Sequence, residues 1–67
     1  MEKQKFERVM EHIIRSIEES GYEPYDQIRA YLLTSDENYI TRDGRAREYI
    51  QKLDKDQIKR YLKELYK

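Results

Sequence analysis

Side chains that could act as nucleophiles or metal ligands are scarce in this 67-residue chain, which has one histidine and no cysteine. Covalent catalysis needs a nucleophile with a base beside it, and a metal site needs several imidazole or carboxylate ligands together. The neighbours of His12 on a predicted helix are Arg8, Glu11 and Arg15, which do not make such a site. We therefore expect His12 to be solvated or to lie at the rim of the core.

Oxygen-bearing side chains at Asp36, Asn38 and Asp43 resemble the start of a calcium-binding loop. The loop pattern then fails, because Ile40 and Thr41 stand where a ligand and an obligatory glycine belong. The two glycines of the chain are far apart and cannot form a phosphate-binding loop. The sequence thus predicts a protein that is not an enzyme and has no metal or other cofactor.

Basic and acidic side chains balance at fourteen each, but they are unevenly distributed. Residues 1–40 hold five basic and nine acidic side chains, a net charge of −4, whereas residues 41–67 hold nine and five, a net charge of +4. Such a split is typical of a C-terminal half that binds an anionic partner, or of two halves that face each other within a chain or across a dimer. We favour the second interpretation.

A small helical nucleic-acid-binding module is the alternative function, because a helix-turn-helix could be drawn from the basic residues of the C-terminal half. These are Arg42, Arg45, Arg47, Lys52, Lys55, Lys59, Arg60 and Lys63. Acidic residues interrupt this face at Asp43, Glu48, Asp54, Asp56 and Glu64. The isoelectric point of about 6.6 is also far from that of a basic binder. Solvated helix faces with pairs such as Arg60 and Glu64 are the simpler interpretation.

Apolar residues recur with a helical period in four segments, and strand alternation is not sustained anywhere. The predicted helices run roughly from Lys3 to Ser20, from Pro24 to Leu33, from a start near Thr41 or Asp43, and from Lys55 to about Tyr66. Gly21 is suited to close the first helix, and Pro24 is suited to open the second. Asp54 is the predicted cap of the fourth helix, with Gln57 completing a capping box.

The predicted fold is all-α, a compact bundle of four main short helices in a single domain over residues 1–67. A further helical turn is expected at residues 37–40, with Tyr39 and Ile40 pointing inward. The residues assigned to the core or a dimer seam are Ile28, Tyr31, Leu32, Tyr39, Tyr49, Ile50 and Leu53. A chain of this length buries only about 60% of its unfolded surface, so we expect a homodimer.

No apolar run approaches the roughly 20 residues that span a bilayer. The first residues, MEKQKFERVMEH, are charged throughout and do not form the apolar part of a secretory signal. We therefore expect a cytoplasmic protein without a membrane partner.

The order of residues from Gly21 to Ile58 resembles one family. The pattern GY-x-P-x-x-QI-x-x-YLL-T-x-D-x-x-YI is followed by R-x-x-x-AR-x-x-I-x-K-L-x-x-D-x-I. Both are similar to the IreB/ReoM family of small regulatory phosphoproteins of low-GC Gram-positive bacteria. The match can be written without a gap from Gly21 to Leu62, and the first helix is similar in length and pattern.

The resemblance implies a compact helical homodimer without catalytic activity. It also implies a cytosolic target of a PASTA-type Ser/Thr kinase and its phosphatase, which adjusts cell-envelope precursor synthesis and antibiotic tolerance. Among the basic residues that would face partners in this family, Arg42 and Arg47 stand at matching positions and Lys52 keeps the charge at another. We assign the partner-facing patch to Arg42, Arg45, Arg47 and Lys52. The partner itself is an unidentified regulatory protein.

The chain also departs from the family pattern. Members carry an N-terminal arm with the phosphorylated threonine ahead of the first helix, whereas this sequence begins almost at that helix and its first hydroxyl residue is Ser16. We therefore expect the phosphorylation switch to be lost or moved. The candidate phospho-acceptors in loops are Thr34, Ser35 and Thr41, for which roles as caps and turn formers are the simpler alternative.

Overall fold

The computed structural model describes residues 2–66, which form four α-helices joined by short turns. The helices are α1 (Lys3–Glu19), α2 (Pro24–Thr34), α3 (Ala46–Gln51) and α4 (Lys55–Leu65), and two 3-10 segments, Glu37–Tyr39 and Asp43–Arg45, separate α2 from α3. No strand occurs between residues 2 and 66. The prediction of an all-α fold with four main helices and an extra turn is confirmed. Residues 1 and 67, the ends of the predicted domain, lie outside the described residues.

The long helix α1 is stabilised by the burial of large apolar residues that recur along one of its faces. Phe6, Met10, Ile13 and Ile17 are buried there. The helix ends in a Schellman motif: the Gly21 N–H donates to Glu18 O at 3.0 Å, and the Tyr22 N–H donates to Ile17 O at 3.2 Å. Gly21 adopts φ +86° in this motif, a conformation that glycine reaches without steric cost. The predicted role of Gly21 is therefore confirmed.

The core lies between α1 and the elements that follow it. Besides its α1 members it contains Ile28, Tyr31, Ile40, Ala46, Ile50, Leu53, Ile58 and Leu62. Val9, Ile14, Leu32, Tyr49 and Tyr61 are partly buried against it. Four residues predicted for the core or dimer seam are thus in the core of the protomer, and two more flank it. Participation in a dimer seam stays a prediction.

The N-terminus of α4 is capped as predicted. The Asp54 side chain accepts hydrogen bonds from the backbone N–H groups of Asp56, at 2.7 Å, and Gln57, at 3.2 Å. These groups have no carbonyl partner within the helix, so the carboxylate satisfies donors that would otherwise need water. Lys55 is consequently held at the start of α4, close to the end of α2.

Two details differ from the predictions. The third helix begins only at Ala46, because Gly44 and Arg45 both adopt φ 60°. Tyr39 does not point inward: it is 49% exposed, whereas Ile40 is completely buried. Ile40 is already extended, with φ −102° and ψ 135°, so its side chain leaves the turn in a different direction from that of Tyr39.

Between residues 2 and 66, no helix combines the length and the apolar character that a membrane span requires.

Candidate partner-docking site

The segment 40–43 follows the first 3-10 turn and is fastened to the rest of the protein at several points. Buried Ile40 anchors it in the core. The Thr41 N–H donates to Gln27 Oε1 on α2 at 3.0 Å, and the Arg47 Nε–H donates to Ile40 O at 2.9 Å. A longer contact of 3.5 Å joins the Arg47 guanidinium to Asn38 O. These bonds fix the path of the segment across the surface.

The same segment is also tied to α1. The Ser20 hydroxyl contacts the Asp43 carboxylate and lies 3.2 Å from Thr41 Oγ1. Next to this segment, His12 Nε2 lies 2.6 Å from Gly44 O. Because a carbonyl oxygen can only accept a hydrogen bond, the imidazole is the donor. The His12 ring also meets the ring of Tyr49 edge to face, with centroids 5.5 Å apart. His12 is exposed at the rim of the core, as expected, but it has a structural partner.

An open groove of about 540 Å³ lies between α2 and this fastened segment, and we call it the Arg42 groove. It is lined by Tyr22, Asp26, Gln27, Ala30, Asn38, Tyr39, Ile40, Thr41, Arg42, Asp43 and Arg47. Tyr22 and Tyr39 are 58% and 49% exposed. The groove therefore exposes two aromatic rings and the Arg42 guanidinium on a backbone held by hydrogen bonds.

The four basic residues predicted to face a partner have different surroundings. Arg42 is exposed, and no residue between 2 and 66 forms a hydrogen bond or ion pair with its side chain. Arg45 forms an exposed ion pair with Glu48 at 3.2 Å, which contributes little to stability. Lys52 is exposed after α3. Arg47 is half-buried and holds backbone carbonyls, so it lines the Arg42 groove as a positioning residue.

The three candidate phospho-acceptors also differ. Thr34 donates to Ala30 O at 2.7 Å and accepts from the Asp36 N–H at 3.1 Å, as a turn former does. Thr41 is half-buried and accepts from the Asp43 N–H at 3.2 Å. Ser35 is exposed, adopts φ 60°, and its hydroxyl contacts the Lys55 ammonium. Thr34 and Ser35 are both exposed, but the Ser35 hydroxyl is the one that contacts a cationic side chain.

Three tyrosines outside the Arg42 groove have a raised pKa. Burial raises the pKa of Tyr31, Tyr61 and Tyr66 above the ordinary value of 10.0. Nearby carboxylates add to this effect: Glu37 for Tyr31, and Glu18 with Glu23 for Tyr66. All three phenols are therefore neutral hydrogen-bonding groups at physiological pH.

The arrangement suits binding rather than chemistry. Among residues 2–66, no three or more His, Cys, Asp or Glu side chains lie together in a way that could hold a metal ion. The groove offers aromatic faces, an amide, carboxylates and a guanidinium, which are groups common in polar protein interfaces.

Sequence reasoning did not identify Tyr22, Gln27 or Ser20 as parts of this site. Gln27 and Tyr22 belong to the GY-x-P-x-x-QI pattern, so the pattern contained the signal. The side-chain oxygen of Gln27 accepts a hydrogen bond from the backbone N–H of Thr41, fourteen residues later in the chain. Only the folded arrangement of α2 against the segment reveals that use.

Comparison with known protein families gives a match that extends over the whole chain. The family model described as IreB regulatory phosphoprotein matches residues 1–67. The matched description is that of a regulatory protein and not of an enzyme. The match agrees with the resemblance carried by residues 21–58. The chain belongs to the IreB regulatory phosphoprotein family.

Proposed function

We propose that this protein regulates by docking to a partner protein through the Arg42 groove, within kinase-linked control of cell-envelope stress. It acts in the cytoplasm of a Gram-positive bacterium, as the resemblance to kinase-regulated proteins suggests. Catalysis has no part in this role. Binding alone carries the signal.

The observation that supports this proposal is that the Arg42 guanidinium, which no residue between 2 and 66 binds, lines the same groove as two exposed tyrosine rings. Arginine and tyrosine are the residues that most often dominate the energy of protein interfaces. Because segment 40–43 is already ordered by Gln27 and Arg47, little conformational entropy remains to be lost on binding. A guanidinium without an internal partner favours an acidic or carbonyl-rich surface on the partner.

Phosphorylation, in this proposal, acts at Ser35. The hydroxyl is exposed and contacts the Lys55 ammonium, which would pair with a phosphate dianion. The adjacent Asp36 and Glu37 would oppose that added charge. A phosphate at Ser35 would therefore shift the turn between α2 and the first 3-10 segment. Incubation with a Ser/Thr kinase of the source cell, followed by peptide mass spectrometry, tests this site against Thr34 and Thr41.

We also propose a homodimer, formed through the surface where α1 meets α4. This α1–α4 patch contains Phe6, Tyr61 and Leu65, with Lys3, Glu7, Gln57, Arg60 and Glu64 around them. A two-fold axis repeats the same patch on both copies, and its mixture of charges allows bases to meet acids. Sedimentation equilibrium is expected to give two chains for the wild type and one for Leu65→Lys.

The docking proposal is tested by affinity capture from the native cell, using wild type, Arg42→Glu and the charge-matched control Lys5→Glu. A partner retained by wild type and Lys5→Glu but lost from Arg42→Glu supports the groove. Equal capture by all three contradicts it. A gel shift with duplex DNA, sensitive to salt and abolished by Arg42→Glu, would instead establish the nucleic-acid-binding alternative.

A further inference from the structure

A second groove lies on the other side of α2, where this helix packs against α4. The two helices are antiparallel, because Tyr25 near the start of α2 meets Tyr66 after α4, with ring centroids 5.3 Å apart. At the opposite end, the Lys55 ammonium lies 5.6 Å from the centroid of the Tyr31 ring. The α2–α4 groove between these ends has a volume of about 370 Å³.

The lining of the α2–α4 groove is largely apolar and open to solvent. Leu33 is 74% exposed, and Tyr25 and Tyr66 are 38% and 40% exposed. Leu32 is half-buried and Leu62 is buried beneath them. An isolated exposed leucine is ordinary on a protein surface, whereas contiguous apolar side chains in a concave surface indicate a binding site.

The charged residues that line this groove have one sign. Arg29, Lys59 and Lys63 line it, and no carboxylate is among its lining residues. Within residues 2–66, none of the three cations forms a hydrogen bond or an ion pair. The far end of the groove, at Tyr66, lies near the carboxylates of Glu18 and Glu23.

This charge pattern selects the occupant. A second copy related by a two-fold axis would bring this lining, with three cations and no carboxylate, against an identical one, and like charges at an interface are unfavourable. Acidic side chains on a different protein would pair with them. The groove is also concave between two helices, a shape that accepts a row of apolar side chains along one face of a helix.

We propose that the α2–α4 groove binds an acidic amphipathic helix of another protein. Apolar residues of that helix, spaced by three and four positions, contact Leu32 and Leu33 and the two tyrosine rings. Its carboxylates pair with Arg29, Lys59 and Lys63. No residue of the Arg42 groove takes part, so this binding surface is separate from the one in the proposed function.

The test is a selection of random peptides, about 16 residues or four helical turns long, displayed on phage against the full-length protein. We expect selected peptides to be rich in Glu and Asp, with apolar residues at helical spacing. Their binding, measured by fluorescence anisotropy, is expected to weaken about tenfold or more in Leu33→Glu and Lys63→Glu, the loss typical of a residue that dominates an interface. The control Lys5→Glu, with the same charge change outside the groove, is expected to bind as wild type does.

Several results would overturn the proposal. Selected peptides could be basic or uncharged, selection could give no binder, or the binders could be insensitive to Leu33→Glu and Lys63→Glu. A parallel measurement uses vesicles containing phosphatidylserine. Vesicle binding that is lost in Leu33→Glu, without any acidic peptide selected, would assign the surface to a membrane and would likewise overturn it. Circular dichroism of each variant verifies that it is folded.

Discussion

The imidazole of His12 on α1 donates a hydrogen bond to the carbonyl oxygen of Gly44, with 2.6 Å between Nε2 and the oxygen. Gly44 precedes α3, so this bond joins elements that are far apart in the chain. The Tyr49 ring packs edge to face on the imidazole and restricts its orientation. Together with the Ser20 contacts, His12 holds the backbone that carries Arg42.

Replacing His12 by phenylalanine should remove the hydrogen bond but keep a ring against Tyr49. We expect His12→Phe to lower the free energy of unfolding by about 1 kcal/mol, the usual net value of a hydrogen bond. His12→Ala should cost about 1 kcal/mol more, because the aromatic contact is lost as well. Urea denaturation measures both. Glu11→Ala, on the exposed face of α1, serves as the control, and equal stability of all variants would contradict the role of His12.

Adding a methyl group at Gly44 should be more harmful than adding one at Gly21. Both glycines have positive φ, which costs a side chain about 1–2 kcal/mol. A Cβ at Gly21 meets nothing within 4 Å, whereas one at Gly44 would collide with Ser16 Oγ and lie 3.2 Å from His12 Nε2. We expect Gly21→Ala to lose about 1 kcal/mol and Gly44→Ala about 2–4 kcal/mol of unfolding free energy.

A double-mutant cycle separates the collision at Gly44 from the backbone strain. Combining Gly44→Ala with Ser16→Ala removes the hydroxyl that the new methyl group would meet. Part of the loss should then be recovered relative to the sum of the single variants. Additive losses would mean that backbone strain alone acts at this position.

Substitutions at Arg47 and Arg42 should affect different properties, the first stability and the second docking. Arg47→Gln removes the donor to Ile40 O, and we expect it to lower the free energy of unfolding by about 1–3 kcal/mol, because a hydrogen bond from a charged group is lost. Arg42→Gln should change stability by less than about 0.5 kcal/mol, as exposed substitutions do, but should weaken partner capture. Thermal unfolding followed by circular dichroism provides the measurement. Equal stability loss in both variants would refute the distinction.

Removal of the α4 cap should destabilise the protein without touching either groove. Asp54→Ala is expected to cost about 1 kcal/mol, since two backbone donors lose their acceptor. Asp54→Asn, which keeps an oxygen acceptor, should retain most of the stability. Asp56→Ala is the matched control, because this carboxylate lies in the same turn but makes only the weaker interaction with the helix dipole. Denaturation midpoints of the three variants rank them directly.

Stability should fall as the pH rises through 10.0, the ordinary pKa of tyrosine. The pKa of Tyr31, Tyr61 and Tyr66 is raised in the folded protein, chiefly by burial. Above that pH the unfolded chain has released protons that the folded protein still binds, so the unfolding free energy decreases with pH. Tyr61→Phe should make the unfolding free energy fall less steeply with pH in the alkaline range, and it should be as stable as wild type at neutral pH. Urea denaturation across the alkaline range would contradict the prediction if it showed no slope.

The elements that could be predicted from the sequence are those whose signals are local. The apolar period of α1, Gly21 after it, and the cap at Asp54 all act within a few residues, and each is found in place. The hydrogen bond from Arg47 to Ile40 O could not be predicted from charge alone, since a basic residue that binds a backbone carbonyl looks the same in sequence as one that faces solvent. Tyr39 was predicted to point inward but is exposed. Which side chain of this short turn is buried depends on the direction of the extended residue that follows it, and that direction is not encoded in a local pattern.

The apolar face of α1 is covered mainly by α3 and the turn before it, which come more than twenty residues later in the chain. A ribosome adds about 5–20 residues per second. During synthesis, the residues that pack on the apolar face of α1 are therefore added a second or more after α1 itself. A chain that ended before α3 would therefore leave this face of α1 uncovered.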